Sequence, residues 1–539
     1  MRLLYFLIII SAFLSLLNPV NAQPLPAGMP VLEDVYRRAQ LNGDIDSTLS
    51  FTIRPIFPVS SLKSNNTFDP DSTLQRERWI EFSGLLQSSK NTFRFQILPL
   101  IWQQEYNSSH PYGWNDGMMV PSKGYQTMIS GGVFVKAGPL SIQLRPEFVY
   151  AQNLAFKGFS ATGSYPYNTN IDLPERFGNK PYSEGSLGQS SIRLTFDPVS
   201  VGISNENLWW GPGLRNSLLM SNNAQGFKHF TLNTIRPVKT PLGFIEGQIV
   251  GGRLEGSGYT RKKEDWRYLS GFAFSYHPKW IPGLFLGLTR TFQMYHEDMD
   301  GRLDDYFPFF QPFEKVKTNE GEKIRDQLTS VFVRWLWQKA KAELYLEYGR
   351  NDHSYNLRDF TMTPEHSRAY IFGMRKLIPL NHKQEQILVA LELTQLQQTI
   401  NYIVRNAGAW YLHGQVLHGY THKGEVLGAG IGPGSNLQSF EVSWVKNLKK
   451  IGLQFERYTH NNDYYNANYS GSALEGNWAD FAISGKLEWN YRNLILNADL
   501  TYIKSLDYQW RVFRTNAFEE SLNRNPSNLH ALLGITYRF

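Results

Sequence analysis

The sequence predicts an all-β fold, a large transmembrane antiparallel β-barrel of the up-and-down kind, and three observations carry that reading. Apolar and polar residues alternate with a period of two along most of the chain, short and long connections alternate between those segments, and the chain ends at Phe539 on an alternating strand.

Composition narrows the field first. The 539 residues contain no cysteine, 42% hydrophobic, 14% aromatic and 19% charged residues, 44 glycines and 27 prolines. The charged fraction is below the roughly 25% of an ordinary soluble domain, while Gly and Pro usage is ordinary, so collagen-like and disordered classes do not fit. Without cysteine there is no disulfide scaffold, thiolate metal site or cysteine nucleophile. The formal charge of +7 is spread over a mixed surface. Its basic clusters, such as Arg261-Lys262-Lys263, are too short to form a stripe for nucleic acid, so nucleic-acid binding is not expected.

At the start of the chain, residues 1–22 read as a cleaved signal peptide. Arg2 supplies the positive end, Leu3 to Leu17 form an apolar run, and Val20-Asn21-Ala22 offers small residues at the cleavage spacing. The run is shorter than the roughly 20 residues of a spanning helix. No later segment approaches that length, which leaves secretion, the periplasm or a membrane crossed by strands. Residues 23–46 then read as a small periplasmic helical segment. Leu32, Val35, Tyr36 and Ala39 share one helical face, Glu33 and Asp34 suit its positive end, and Gly43 can close it.

From about residue 47 to 539 the period is two, and this stretch is assigned to the barrel. Ile192, Leu194 and Phe196 alternate with polar neighbours, as do Ala342, Leu344, Leu346 and Tyr348. Phe481, Ile483, Gly485, Leu487 and Trp489 repeat the pattern, and so do Leu494, Leu496, Ala498, Leu500 and Tyr502. The boundaries yield about 20 candidate strands when weaker ones at 47–57 and 227–250 are counted. An even number places both chain ends in the periplasm.

Short links fall near 88–91, 137–139, 197–200, 237–241, 277–283, 338–341, 378–384, 447–450 and 489–493, with long links between them. An outer-membrane barrel has short periplasmic turns and long outer loops, whereas a soluble sandwich has no reason to gather its long loops at one end. Trp280, Trp335, Trp337, Trp444 and Trp489 near strand ends suit the aromatic girdles at the two interfaces. The last strand, with Leu529, Ala531, Leu533, Ile535, Tyr537 and Phe539 on one face, resembles the sorting signal of outer-membrane barrels. The expected partners are therefore outer-membrane lipid and the barrel-assembly machinery, with Phe539 as the assembly signal.

The segment from Glu206 to Asn223 is the most distinctive stretch. Trp209 and Trp210 precede Gly211-Pro212-Gly213, an aromatic pair on a turn that proline fixes and glycine frees, and Ser221-Asn222-Asn223 closes it. These motifs resemble the Trp-Trp-Gly-Pro-Gly and Ser-Asn-Asn signature of the Wzi family of capsule assembly proteins. The stretches Arg236 to Pro241, Gly251 to Gly256 and Gly428 to Gly434 are similar to the family's continuation, especially in its Bacteroidetes-type members. The resemblance implies an 18-stranded outer-membrane barrel with a periplasmic helical element, so the expected count is about 18, within 16 to 20. It also implies a lectin that binds capsular polysaccharide, or another surface glycan, with loops at the cell surface.

On that reading Trp209, Trp210, Arg215, Asn222 and Asn223 are candidates either for sugar contact or for packing of the loop. Further candidates for glycan contact lie in other long loops: Tyr106, Tyr112, Trp114 and Asp116; Trp410, Tyr411 and Tyr420; and Tyr458, His460, Asp463, Tyr464 and Tyr465. Loop arginines such as Arg215 and Arg405 lean towards an acidic polymer. The acidic run His296 to Asp305 lacks calcium-loop spacing and reads as a solvated loop. His413, His418 and His422 are a weak zinc pattern, and no cofactor is expected. No segment presents a recognisable Ser, His and carboxylate arrangement, so an enzyme is not expected. A sugar or solute channel and a non-binding scaffold of capsule machinery are the rival readings.

Overall fold

The structure is a computed structural model that describes residues 24–57, 62, 66–72, 74, 80–82, 93–158, 171–257, 266–308, 325–351, 357–362, 365–381, 384–399, 408–469, 476–510 and 525–539. The expected signal peptide, Arg261 to Lys263, Arg405 and the short link at 88–91 lie outside the described residues.

Eighteen antiparallel spans close into one barrel, from Phe93–Asn107 to Ser527–Tyr537. Closure comes from the last strand pairing with the first, Tyr537 opposite Leu100 and His530 opposite Asn107. This removes the open edge that a bilayer does not tolerate. Three spans are interrupted, at 145–146, 187–190 and 235–237. The stretch at 227–250 resolves into the hairpin of His229–Thr234 and Val238–Thr240 against Gly243–Leu254.

The short links are tight turns. Ala137 pairs with Leu140, Lys446 with Lys449 and Tyr491 with Leu494, leaving two-residue loops. Gly138, Asn447 and Arg492 take the positive φ (58°, 50° and 52°) that such hairpins need. Outward residues are apolar, as in the row Val442, Leu453 and Leu500. Towards the short-turn end Trp335, Trp337, Trp444 and Trp489 form a belt, with Lys449 4.2 Å from the Trp489 ring and Trp280 exposed on its turn. Tyr106, Tyr150 and Tyr502 stand outward near the opposite ends, so Tyr106 faces the bilayer rather than the lumen.

The lumen is filled from both ends. At the short-turn end sits helix α1, Pro30–Asn42, which Gly43 closes at φ 85° by donating its N–H to Ala39 and Gln40. Asn42 bonds Gln386, and Arg38 Nη2 donates to the Asn447 carbonyl 2.9 Å away, which ties α1 to two turns. Residues 47–57 do not form a barrel strand. Ile53–Arg54 pairs inside the lumen with Trp210 and Trp209, because both faces of this short segment are already covered by the plug. The barrel wall therefore begins later than residue 47.

From the outer end, residues 205–228 and 408–435 fold inward. Their apolar side chains form a core that includes Trp210, Leu218, Met220, Trp410, Tyr411, Tyr420, Val426 and Ile431. A loop this apolar is stable only when buried, and the lumen supplies the burial that solvent at the cell surface would not.

Candidate functional site

The Trp-Trp-Gly-Pro-Gly segment, which the sequence leaves open between sugar contact and loop packing, lies within the lumen. Trp210 is fully buried, its Nε1 donates to Gln248 Oε1 at 2.8 Å, and its backbone N–H donates to Met220 O at 3.0 Å. Trp209 is also buried, with the Arg54 guanidinium 5.1 Å from its ring centre. Gly211, at φ 131°, passes so close to the wall that a Cβ would stand 2.6 Å from Glu347 Oε2. The next turn wraps the Glu392 carboxylate: the backbone N–H groups of Leu214, Arg215 and Asn216 donate to it at 2.7, 3.0 and 2.9 Å.

From this anchor the segment holds a second loop. Asn222 Nδ2 donates to Asn115 O at 3.0 Å, Asn115 Nδ2 donates to Arg215 O at 2.5 Å, and Gly117 N–H donates to Asn222 O at 2.8 Å. Asn223 Nδ2 donates to Val426 O at 3.0 Å and to Asp172 Oδ1 at 3.3 Å. Arg215 makes a fork to Glu456, at 3.0 and 3.1 Å, beneath the Trp114 ring 5.5 Å away. Its charge is thus already answered by a carboxylate.

The loop so held is Tyr112 to Asp116, and it meets Tyr458, His460, Trp478, Asp480 and Tyr508 to Trp510 at the long-loop end of the barrel. A cavity of about 130 Å³ opens there, bordered by Trp114, Tyr458, His460, Trp478 and Trp510. The rings run edge to face and stacked. Tyr112 to Trp114 is 5.3 Å, Trp114 to Tyr458 5.4 Å, Tyr458 to His460 3.7 Å, His460 to Trp478 3.6 Å, and Trp478 to Trp510 5.2 Å. One carboxylate fixes two of them, since Asp480 accepts from Trp478 Nε1 at 3.0 Å and pairs with His460 Nε2 at 2.8 Å.

Acidic groups share the cavity. Burial pushes the Asp116 carboxyl up to about 7, with Asp172 adding to the rise, and burial pushes Asp172 up to about 6 against the pull of Arg176. Such a wall offers apolar ring faces beside hydrogen-bond acceptors, which is what the CH face and hydroxyls of a sugar require.

The structure separates the other candidates. Tyr112, Trp114, Asp116, Tyr458 and His460 come together at the mouth. Trp410 and Tyr411 are fully buried, the first donating to Ser367 O at 3.0 Å and the second to Leu218 O at 2.8 Å, and Tyr420 is buried beside them. Tyr464 packs on Trp510 at 5.0 Å, at the edge of the cluster. Sequence reading missed Trp478, Tyr508, Trp510 and Asp172. The single usable signal was an aromatic immediately outside a strand end, as at Trp478. In the acidic run Asp305 is buried, accepts from the N–H groups of Asp300 and Arg302 and pairs with Arg325 at 3.4 Å, so that part of the loop is internally held rather than solvated. His413, His418 and His422 have separate partners, and among the described residues no His, Cys, Asp and Glu group is placed to hold a metal ion.

A closed transmembrane barrel whose lumen holds an inward-folded apolar core and whose outer mouth is aromatic and acidic defines the class: an outer-membrane β-barrel. The sequence model of the family described as Capsule assembly protein Wzi matches residues 122–506, and the chain belongs to that family. A search of the curated proteins finds no match. Among solved structures the chain is similar to Wzi of Escherichia coli, an outer-membrane protein involved in group 1 capsule assembly and a carbohydrate-binding β-barrel. That likeness has a TM-score of 0.63 at 13% identity, over 96% of this chain and 100% of the other. A BenF-like porin from Pseudomonas fluorescens aligns over 83% of this chain and 99% of its own, with a TM-score of 0.38 and 7% identity.

Proposed function

We propose that this protein binds capsular polysaccharide at its outer mouth and retains it at the cell surface without covalent chemistry. The observation that carries the reading is the ring of Trp114, Tyr458, His460, Trp478 and Trp510 around one cavity lined by Asp116 and Asp172. The family to which the chain belongs, and the carbohydrate binding of its Escherichia coli counterpart, agree with it. The buried motif at Trp209 to Asn223 serves in this reading as the support that positions Trp114 and Asp172. The apolar core across the lumen favours a binding surface over a channel.

Replacing Trp114 and Trp478 together by alanine is expected to weaken binding of purified capsule at least about tenfold, as removal of two anchor aromatics does in other interfaces. Cells carrying the variant should release polymer into the medium with total synthesis unchanged. Full retention by a normally assembled double variant overturns the reading.

The acidic mouth favours a neutral polymer over an acidic one. Asp116 and Asp172 lie above the usual carboxylate value near 4, at about 7 and about 6, so both are largely protonated at pH 5 and ionised at pH 8. Raised carboxyl values stabilise the fold most below their unfolded value, and that contribution is lost as pH rises through 6 to 7. An acidic polymer should therefore bind more weakly at pH 8 than at pH 5, while a neutral one changes little. Binding isotherms at the two pH values, with Asp172→Asn reducing the difference, check this expectation.

A further inference from the structure

The outer wall of the barrel carries a feature that glycan binding does not use. Four neighbouring strands, Asn436–Lys446, Lys449–Thr459, Ala479–Tyr491 and Leu494–Leu506, present their side chains in register. The outermost row reads Gln438, Arg457, Phe481 and Lys504, each two residues from the long-loop end of its strand. The next row inward reads Phe440, Phe455, Ile483 and Tyr502, all exposed. Below it come Val442, Leu453, Gly485 and Leu500, and then Trp444, Ile451, Leu487 and Ala498.

Two features of this pattern point to a ligand. The third row has a glycine where its neighbours have leucines, and nothing stands within 4 Å of where a Gly485 Cβ would be. A slot bordered by Leu453 and Leu500 is the result, and it continues past the small Ala498. Above it a groove of about 510 Å³ is bordered by Phe440, Phe455, Phe481, Ile483 and Tyr502, with Arg457 and Lys504 at its rim.

Those two cations stand on either side of Phe481, two strand spacings or about 10 Å apart at the backbone. Arg457 donates to Gln438 Oε1 at 2.9 Å and Lys504 to the Asn525 carbonyl. Among the described residues neither pairs with a carboxylate, and Glu456 next door points into the lumen to Arg215. Charged side chains are costly on a lipid-facing wall except near the interface, where they reach the headgroups. From the cation row to the fourth row is six residues, or about 20 Å of strand, which at the usual barrel tilt projects to about 15 Å, the depth of one leaflet.

We propose that this face is a specific site for a phosphate-bearing lipid of the outer leaflet, with its phosphate between Arg457 and Lys504 and an acyl chain in the groove and slot over Gly485. Charge complementarity selects the occupant: guanidinium and ammonium groups two strands apart suit a phosphate, and the apolar slot beneath suits a chain and not a free ion. The site is independent of the glycan mouth, which lies on the other side of the wall.

Native mass spectrometry of the full-length, delipidated protein in neutral detergent tests it, with a bisphosphorylated lipid A as probe, the same lipid stripped of phosphate, and inorganic phosphate alone. The phosphorylated lipid should give a discrete adduct, with the stripped lipid and inorganic phosphate each binding at least about tenfold more weakly. Arg457→Gln with Lys504→Gln should reduce the adduct by a similar factor. Gly485→Leu should reduce it with both cations in place, and unchanged heat-modifiable mobility shows that each variant is folded. Equal binding of the stripped lipid, or an adduct indifferent to both the cation and the slot variants, overturns the proposal. Inorganic phosphate binding as well as the lipid overturns it too.

Discussion

Glu343→Ala is expected to lower the stability of the barrel by about 3–5 kcal/mol, the cost of leaving buried charges without their partner. The Glu343 carboxylate lies inside the lumen and is fully buried. It receives Arg37 Nε at 2.9 Å, Arg334 Nη2 at 2.6 Å and Arg375 Nη1 at 3.6 Å. Those three guanidinium groups come from α1 and from two different strands, so one anion joins the plug to the wall. Arg375 keeps Asp34, but Arg37 and Arg334 would be left with neutral partners, the Pro212 and Ser50 carbonyls and Gln40. The midpoint temperature of the heat-induced mobility change should fall accordingly. Glu343→Gln should fall nearly as far, because it keeps the shape and loses the charge. Adding Arg37→Leu to Glu343→Ala should recover part of the loss, since an apolar side chain leaves no charge to strand. A midpoint unaltered in Glu343→Ala would mean that α1 is not held by this network.

The sequence made the wall legible and hid the lumen, for a physical reason. A strand with lipid on one face and polar groups on the other writes its period directly into the chain, as Ile483, Leu487 and Leu500 show. Tight turns at Asn447 and Gly138 mark the boundaries. The helix at Pro30–Asn42 was legible because its apolar face and its closing glycine are both local features. Ile53–Arg54 misled because alternation says that one face is buried and not what buries it: its partner is the Trp209–Trp210 pair, more than 150 residues away. The mouth was half legible for the same reason. Trp114, Tyr458 and His460 stand out as loop aromatics, but Trp410 and Tyr411 look no different in sequence, and only their contacts with Ser367 and Leu218 place them in the core. Asp172 acquires its place from Asn223 and Val426, neither near it in the chain.

The paired tryptophans allow support and sugar contact to be told apart by experiment. Trp210→Ala is expected to destabilise the barrel by about 3–5 kcal/mol, the usual loss for a large aromatic removed from a packed core. Its indole is fully buried, fills the space beside Gly271, and leaves Gln248 Oε1 without its 2.8 Å donor when truncated. Trp209→Ala should cost less, because that ring lies at the edge of the cluster and its chief partner is the Arg54 guanidinium, a contact worth about 2 kcal/mol when desolvated. Polymer binding should fall in Trp210→Ala only as far as the hold of Asn222 and Asn223 on the Tyr112 to Asp116 loop is loosened, so the losses in stability and in binding move together. Trp114→Ala should lose proportionally more binding than stability, since that ring is only partly buried, at the edge of the core where it borders the mouth. If Trp210→Ala instead keeps its midpoint and loses polymer, the indole meets sugar directly, and the lumen must open far enough to admit the chain.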